Sequence, residues 1–141
     1  MSETTFPHRD ADGRVVRLAE LIASVVAGLV LGIVVLVVVD GVSSLLGLGR
    51  FGQLSGWFAG ILPVWLFTEE FRAWREVRGR IGMALVSAFL AVVVGIGVAA
   101  VAGAALPPLG SGAVGVAVSA LLYGVLWYVG IRWLADRGVP R

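Results

Sequence analysis

Three stretches of this 141-residue chain run for at least 19 residues without a charged side chain. They are residues 21–39, 81–106 and 113–131, and small or aliphatic side chains make up most of each. A helix rises 1.5 Å per residue, so 19 residues reach about 28 Å, close to the hydrocarbon thickness of a bilayer. Buried strands are much shorter, and a lone strand in lipid would leave its backbone groups without hydrogen bonds. The three stretches therefore predict membrane-spanning helices.

The composition supports a membrane protein and argues against most other classes. Hydrophobic residues make up 59% of the chain and charged residues only 14%, whereas a soluble domain carries about 25% charged residues. A soluble domain of this size could not bury so much apolar surface. The net charge of +2 and the lack of a basic, aromatic-rich patch predict no nucleic-acid partner. All eleven cationic residues are arginine, which is typical of a GC-rich prokaryotic source.

A fourth crossing is expected over residues 51–68, although this segment is short and contains Gly52, Gly56, Gly60 and Pro63. A proline inside a helix removes one hydrogen bond, so we expect a kink at Pro63; a re-entrant segment is the alternative. The predicted fold is an all-α membrane protein, a four-transmembrane-helix bundle running up-down-up-down. Its predicted parts are a polar tail over 1–12, a four-helix domain over 13–136 with spans near 18–40, 51–68, 81–106 and 113–131, and a tail over 137–141.

The ends of these predicted helices carry recognisable signals. Asp10 or Asp12 is a suitable N-cap for a helix that begins near Gly13. The second helix is expected to continue past the membrane and to stop at Gly79. Two consecutive prolines, at 107 and 108, are expected to end the third span and to open a turn-rich loop over 107–112.

The arginines predict the orientation of the chain. Ten of the eleven fall in regions that share one side if there are four crossings: Arg9, Arg14, Arg17, Arg72, Arg75, Arg78, Arg80, Arg132, Arg137 and Arg141. Only Arg50 falls on the other side. Arginine-rich loops stay in the cytoplasm, so we expect a cell-membrane protein with both termini cytoplasmic.

Small residues recur every four positions along each predicted span. Such residues let helix backbones approach closely in lipid, where the hydrophobic effect cannot drive association. The stripes predict either packing within the bundle or contact with a second protein. The candidate helix-packing residues are Gly28, Gly32, Gly52, Gly56, Gly60, Gly95 and Gly103.

The charged segment 69–80 is the best candidate for contact outside the membrane. Its aromatic and arginine side chains are expected to bind a partner protein or lipid headgroups, and the candidates are Phe71, Arg72, Trp74, Arg75 and Arg78. Glu69 and Glu70 precede them and are expected to lie on a solvated helix turn.

No pattern in the sequence predicts catalysis. The chain has no cysteine and one histidine, His8, in the polar tail, so we expect no metal site, no cofactor and no enzyme. The predicted spans contain no ionisable residue at mid-depth, where transporters usually carry one. The expected function is a non-enzymatic accessory or oligomer-forming membrane subunit, with the bilayer and itself or another membrane protein as partners. The alternative is a small transporter or channel that acts as an oligomer, with Pro63 beside the path.

Overall fold

The computed structural model describes residues 8–49 and 52–138, and all regular elements within these ranges are helical. In chain order they are α1 (Leu18–Leu45), a short α2 (Gln53–Gly56), a 3-10 turn (Trp57–Gly60), α3 (Ile61–Ala73), α4 (Arg80–Ala102) and α5 (Pro108–Gly138). Within the described ranges, α1, α4 and α5 are long and apolar enough to cross a membrane. The predicted all-α class is therefore confirmed, and three of the four predicted spans coincide with helices that could cross a membrane. The outer parts of the two predicted tails, residues 1–7 and 139–141, lie outside the described residues, as do Arg50 and Phe51.

The N-terminal segment is folded back on itself, and α1 begins at Leu18 rather than near Gly13. Asp10 does not cap a helix: its Oδ1 accepts hydrogen bonds from the backbone N–H groups of Asp12 at 2.9 Å and Arg14 at 3.0 Å. An aspartate that bonds to nearby backbone groups stabilises a turn instead of a helix. Gly13 adopts a positive φ of 82° in this turn, and an isolated antiparallel bridge joins Arg9 to Val15. We call residues 8–17 the N-terminal hairpin.

The helix predicted to continue from the second span to Gly79 is α3, and it ends at Ala73, six residues earlier. Two arginine side chains satisfy carbonyl groups of its last turn, because Arg14 Nε donates to Ala73 O at 3.2 Å and Arg80 Nη1 donates to Phe71 O at 2.9 Å. Capping of this kind ends a helix where its carbonyls have no partner within the helix. A tight turn follows, and Gly79, with φ of 84°, precedes the first residue of α4.

The remaining boundaries differ from the predictions at helix ends. α1 continues through Asp40 and Gly41 to Leu45. α4 ends at Ala102, and α5 begins at Pro108, so most of the predicted 107–112 loop is helical. Proline fits the first position of a helix, because the backbone N–H that it lacks would have no partner there.

Residues 51–68 were expected to kink at Pro63, but the break in the α-helix lies in the residues just before this proline. Pro63 is the third residue of α3, and the four preceding residues, Trp57–Gly60, tighten into the 3-10 turn. A proline ring conflicts with the carbonyl four residues earlier, here that of Ala59, and cannot donate to it. The backbone stays right-handed on both sides of the turn, at Gly56 and Ile61, so α2, the turn and α3 form one interrupted helical run.

α5 lies at the centre of the packing, with α4 along one side and α1 and the interrupted run along the others. Ser87, Ala91, Gly95 and Ala99 form the buried face of α4. A Cβ on Gly95 would lie 2.7 Å from the Gly115 carbonyl oxygen of α5, and a Cβ on Gly32 would lie 2.6 Å from the Ala59 carbonyl oxygen. These two pairs of backbones approach so closely that only glycine fits.

The other candidate packing glycines divide into two groups. Gly28 and Gly60 face side chains of neighbouring segments, at 3.2 Å and 2.7 Å from a built Cβ, and Gly56 faces the backbone nitrogen of Ala113 at 2.7 Å. A Cβ built on Gly52 would meet no atom within 4 Å, and Gly103 is exposed at the end of α4. Five of the seven candidates therefore lie at close contacts inside the bundle.

Candidate functional site

The most deeply buried charged side chain of the described residues is Glu70 of α3, which is 0% exposed. The burial of Glu70 contradicts the expectation that both glutamates lie on a solvated turn. Its carboxylate accepts the backbone N–H of Val15 at 2.7 Å and the indole N–H of Trp74 at 3.2 Å. The guanidinium of Arg9 lies 3.8 Å from the same carboxylate. A buried charge is tolerated where such partners replace water, so Glu70 anchors the hairpin to α3.

Two further arginines hold the hairpin against the helix ends. The Arg14 guanidinium lies 4.0 Å above the Trp74 ring, while its Nε bonds to α3. Arg132 of α5 donates to the Val15 carbonyl, and its guanidinium lies 3.6 Å above the ring of Tyr128. The Tyr128 hydroxyl donates to the Val16 carbonyl at 2.9 Å. The hairpin, the end of α3 and the last turns of α5 therefore form one polar cluster, with Glu70 at its centre.

The predicted contact face over 71–78 is divided by this arrangement. Trp74 is 4% exposed, and Phe71 packs inward with its ring centroid 6.0 Å from that of Trp127. Arg72, Arg75 and Arg78 stay exposed. Trp74 thus belongs to the interior of the polar cluster and Phe71 packs beside Trp127, while the three arginine candidates lie on the surface.

A second candidate site is an apolar cleft between α3 and α4. The cleft has a volume of about 590 Å³, with its floor on α5. α3 packs on α1 and α4 packs on α5, so the two helices flank the cleft without an extensive contact with each other. The residues that line its walls include Trp57, Pro63, Val64, Phe67, Phe71, Ala84, Ala88, Ala91, Val116, Ser119 and Tyr123.

The hydroxyl groups at the cleft are largely engaged with the protein backbone. Thr68 Oγ1 donates to the Val64 carbonyl at 2.9 Å, one turn earlier in its own helix. Ser119 Oγ donates to the Ala91 carbonyl at 2.9 Å, which joins α5 to α4. The ring of Tyr123 packs 4.5 Å from that of Phe67. The walls are therefore suited to an apolar occupant.

The chain matches no protein-family model, no curated protein and no solved structure. Within the described ranges, no three side chains of histidine, aspartate or glutamate lie close enough together to hold a metal ion. The two features with a distinct geometry are the Glu70 cluster and the apolar cleft. Two residues that the sequence marked as candidates, Pro63 and Phe71, line the cleft, but no pattern in the sequence predicted the cleft itself.

Proposed function

We propose that this protein is a non-enzymatic membrane subunit with four crossings, which assembles with copies of itself or with another membrane protein in the cell membrane. Three crossings are α1, α4 and α5, and the fourth is the interrupted run from Gln53. From Gln53 to Thr68 this run extends about 26 Å, because the 3-10 turn rises about 2.0 Å per residue. That length is within a few ångströms of the hydrocarbon thickness, a mismatch that lipid accommodates at modest cost.

The proposed orientation has both termini in the cytoplasm. Contacts of Arg14 with Ala73 and of Arg132 with Val15 bring the hairpin, the α3–α4 turn and the end of α5 to one end of the protein. All nine arginines of the described residues belong to these regions, which supports a cytoplasmic location for this end.

The observation that carries the assembly proposal is the outer face of α4. Gly97 lies on this face in mid-helix, and a Cβ built on it would meet no atom within 4 Å. A glycine inside a helix destabilises it by about 1 kcal/mol relative to alanine, and nothing in the single chain uses the space that Gly97 leaves. Val86, Phe89 and Val93 share this face and are exposed. A close helix–helix contact through Gly97 would use both the space and the apolar side chains.

Disulfide cross-linking tests this assembly, since the natural chain contains no cysteine. Gly97→Cys is expected to form cross-linked dimers in native membranes after mild oxidation. Val34→Cys is the matched control, because Val34 is also exposed but lies on the face of α1 opposite its packed residues. Cross-linking of Gly97→Cys to another protein would still support a subunit. Equal cross-linking of the two variants would contradict the proposal. So would the absence of cross-linking in both variants if the purified protein also had the mass of a monomer.

The four-crossing topology has its own test with an impermeant maleimide. Single cysteines in place of Arg50 and Arg78 are expected to react from opposite sides of the membrane, and Arg78→Cys only from the cytoplasm. Reaction of both from the same side would contradict a crossing by residues 51–68.

The second candidate function is a small transporter or channel that acts as an oligomer. The interrupted helix and Pro63 border the apolar cleft, and such breaks frequently line solute paths in transporters. Purified protein in liposomes is the test. Flux of a solute that Ala88→Phe abolishes would favour this function, because Ala88 lines the cleft. Flux that is unaffected by this variant would argue against a path through the cleft.

A further inference from the structure

We propose that the α3–α4 cleft binds an acyl chain of an anionic phospholipid, whose phosphate is bound by Arg80. This inference is independent of the proposed assembly, because it concerns the cleft side of α4 and not its outer face. Four properties of the cleft carry it: its opening, its size, its length and its charge.

The cleft opens sideways, where the surrounding bilayer would be. Ile61 and Val64 line it and are each 61% exposed, as expected of side chains at an open rim. Because α3 and α4 do not close over it, a lipid chain can enter from the side without leaving the hydrocarbon region. Apolar walls in that position exclude water and favour a hydrocarbon occupant.

The size of the cleft suits a single small ligand such as an acyl chain. Its volume of about 590 Å³ lies within the range of about 300–1,000 Å³ that small-molecule pockets have. Its lining on α4 covers nine residues, from Ala84 to Val92.

The cleft is long enough to hold an acyl chain of one leaflet. Its lining on the interrupted run extends from Trp57 to Phe71, a distance of about 23 Å along the axis when the larger rise of the 3-10 turn is included. Half of the hydrocarbon thickness is about 15 Å, so a chain anchored at the Phe71 end would reach the bilayer midplane while still inside the cleft. The headgroup would then lie at the arginine-rich end.

The charge at that end comes from Arg80. Its guanidinium lies 4.2 Å above the ring of Phe71, which itself lines the cleft. One nitrogen is held by the Phe71 carbonyl at 2.9 Å, and in the described part of the chain no carboxylate lies within 4.0 Å of the group. Arginine has five N–H donors that suit the oxygens of a phosphate, so the donors left over are positioned for a headgroup at the mouth of the cleft.

Native mass spectrometry tests this inference on the full chain in nanodiscs that contain phosphatidylglycerol and phosphatidylcholine. We expect the protein to retain one phosphatidylglycerol molecule in preference to phosphatidylcholine. Arg80→Gln is expected to weaken the retained phosphatidylglycerol about tenfold, the effect of losing one charge-assisted contact. Arg75→Gln, which changes an exposed arginine in the turn that precedes α4, should have no such effect.

Filling the cleft is the second arm. Ala88→Phe, or the smaller change Ala84→Leu if the first variant does not fold, is expected to remove the retained lipid. Val34→Phe places the same side chain on the outer face of α1 and should leave it bound. If Arg80→Gln and the filled variants retained phosphatidylglycerol as well as the wild-type protein does, the inference would be overturned. So would lipid counts unchanged by Ala88→Phe together with loss of a co-purifying membrane protein, which would assign the cleft to a partner helix.

Discussion

A single methyl group at Gly32 tests whether α1 is held against the 3-10 turn by backbone contact. A Cβ on Gly32 would lie 2.6 Å from the Ala59 carbonyl oxygen and 3.0 Å from the Ala59 Cα. Ordinary contact begins near 3.4 Å, so α1 and the turn would have to separate by about 0.8 Å. Backbone atoms cannot rotate away as a flexible side chain can, and a gap of this size forfeits a quarter to a half of each dispersion contact beside it.

The expected loss of stability is the difference in unfolding free energy between two alanine variants of α1. Gly32→Ala and Gly41→Ala both gain about 1 kcal/mol from the higher helix propensity of alanine. A Cβ on Gly41 meets no atom within 4 Å, so only Gly32→Ala introduces a clash. Overpacking of this kind costs about 1–3 kcal/mol, and Gly32→Ala should be less stable than Gly41→Ala by that amount.

Equilibrium unfolding in mixed micelles, followed by circular dichroism as the denaturing detergent is increased, measures this difference. The core around Val25, Leu29 and Ala59 should loosen in Gly32→Ala alone. Equal midpoints for the two variants would show that α1 does not depend on this contact, and a more stable Gly32→Ala would refute the packing itself.

Three further substitutions test the polar cluster and the α4–α5 contact. Glu70→Ala leaves the Val15 and Trp74 donors without an acceptor, which costs about 1–3 kcal/mol of stability for each donor. The rate of hydrogen exchange at the Val15 amide should therefore rise at least about tenfold, whereas Glu69→Ala, which removes an exposed carboxylate, should leave this rate unchanged. Arg132→Gln removes one hairpin contact and the cation–π contacts with Tyr128 and Trp74, each worth about 1 kcal/mol, and an effect on exchange larger than that of Glu70→Ala would contradict the central position of Glu70. Gly95→Ala should destabilise the detergent-solubilised protein by about 1–3 kcal/mol because its Cβ would lie 2.7 Å from a backbone oxygen of α5, and unchanged unfolding would refute that close contact.

The sequence alone determined the class of the protein and the location of its long helices. Runs such as residues 81–106 have no other stable solution in lipid than a helix, because every backbone group must find a partner within the segment. Gly28, Gly32, Gly56, Gly60 and Gly95 were also predictable as packing residues, since small side chains are what allows helices to approach in a bilayer. Helix ends were less predictable: α3 stops at Ala73 because Arg14, 59 positions earlier, bonds to its last carbonyl.

Only the tertiary structure decided the position of Glu70 and the existence of the cleft. In sequence, Glu70 is one of two adjacent glutamates on a charged segment, and nothing local distinguishes it from Glu69. It is buried because the N-terminal hairpin packs on it and supplies the N–H of Val15, a residue 55 positions earlier in the chain. The cleft likewise depends on how far α3 and α4 lie apart on α5, which no single helix encodes. Period and composition act within a segment, whereas the burial of a charge and the shape of a cavity depend on contacts between segments distant in sequence.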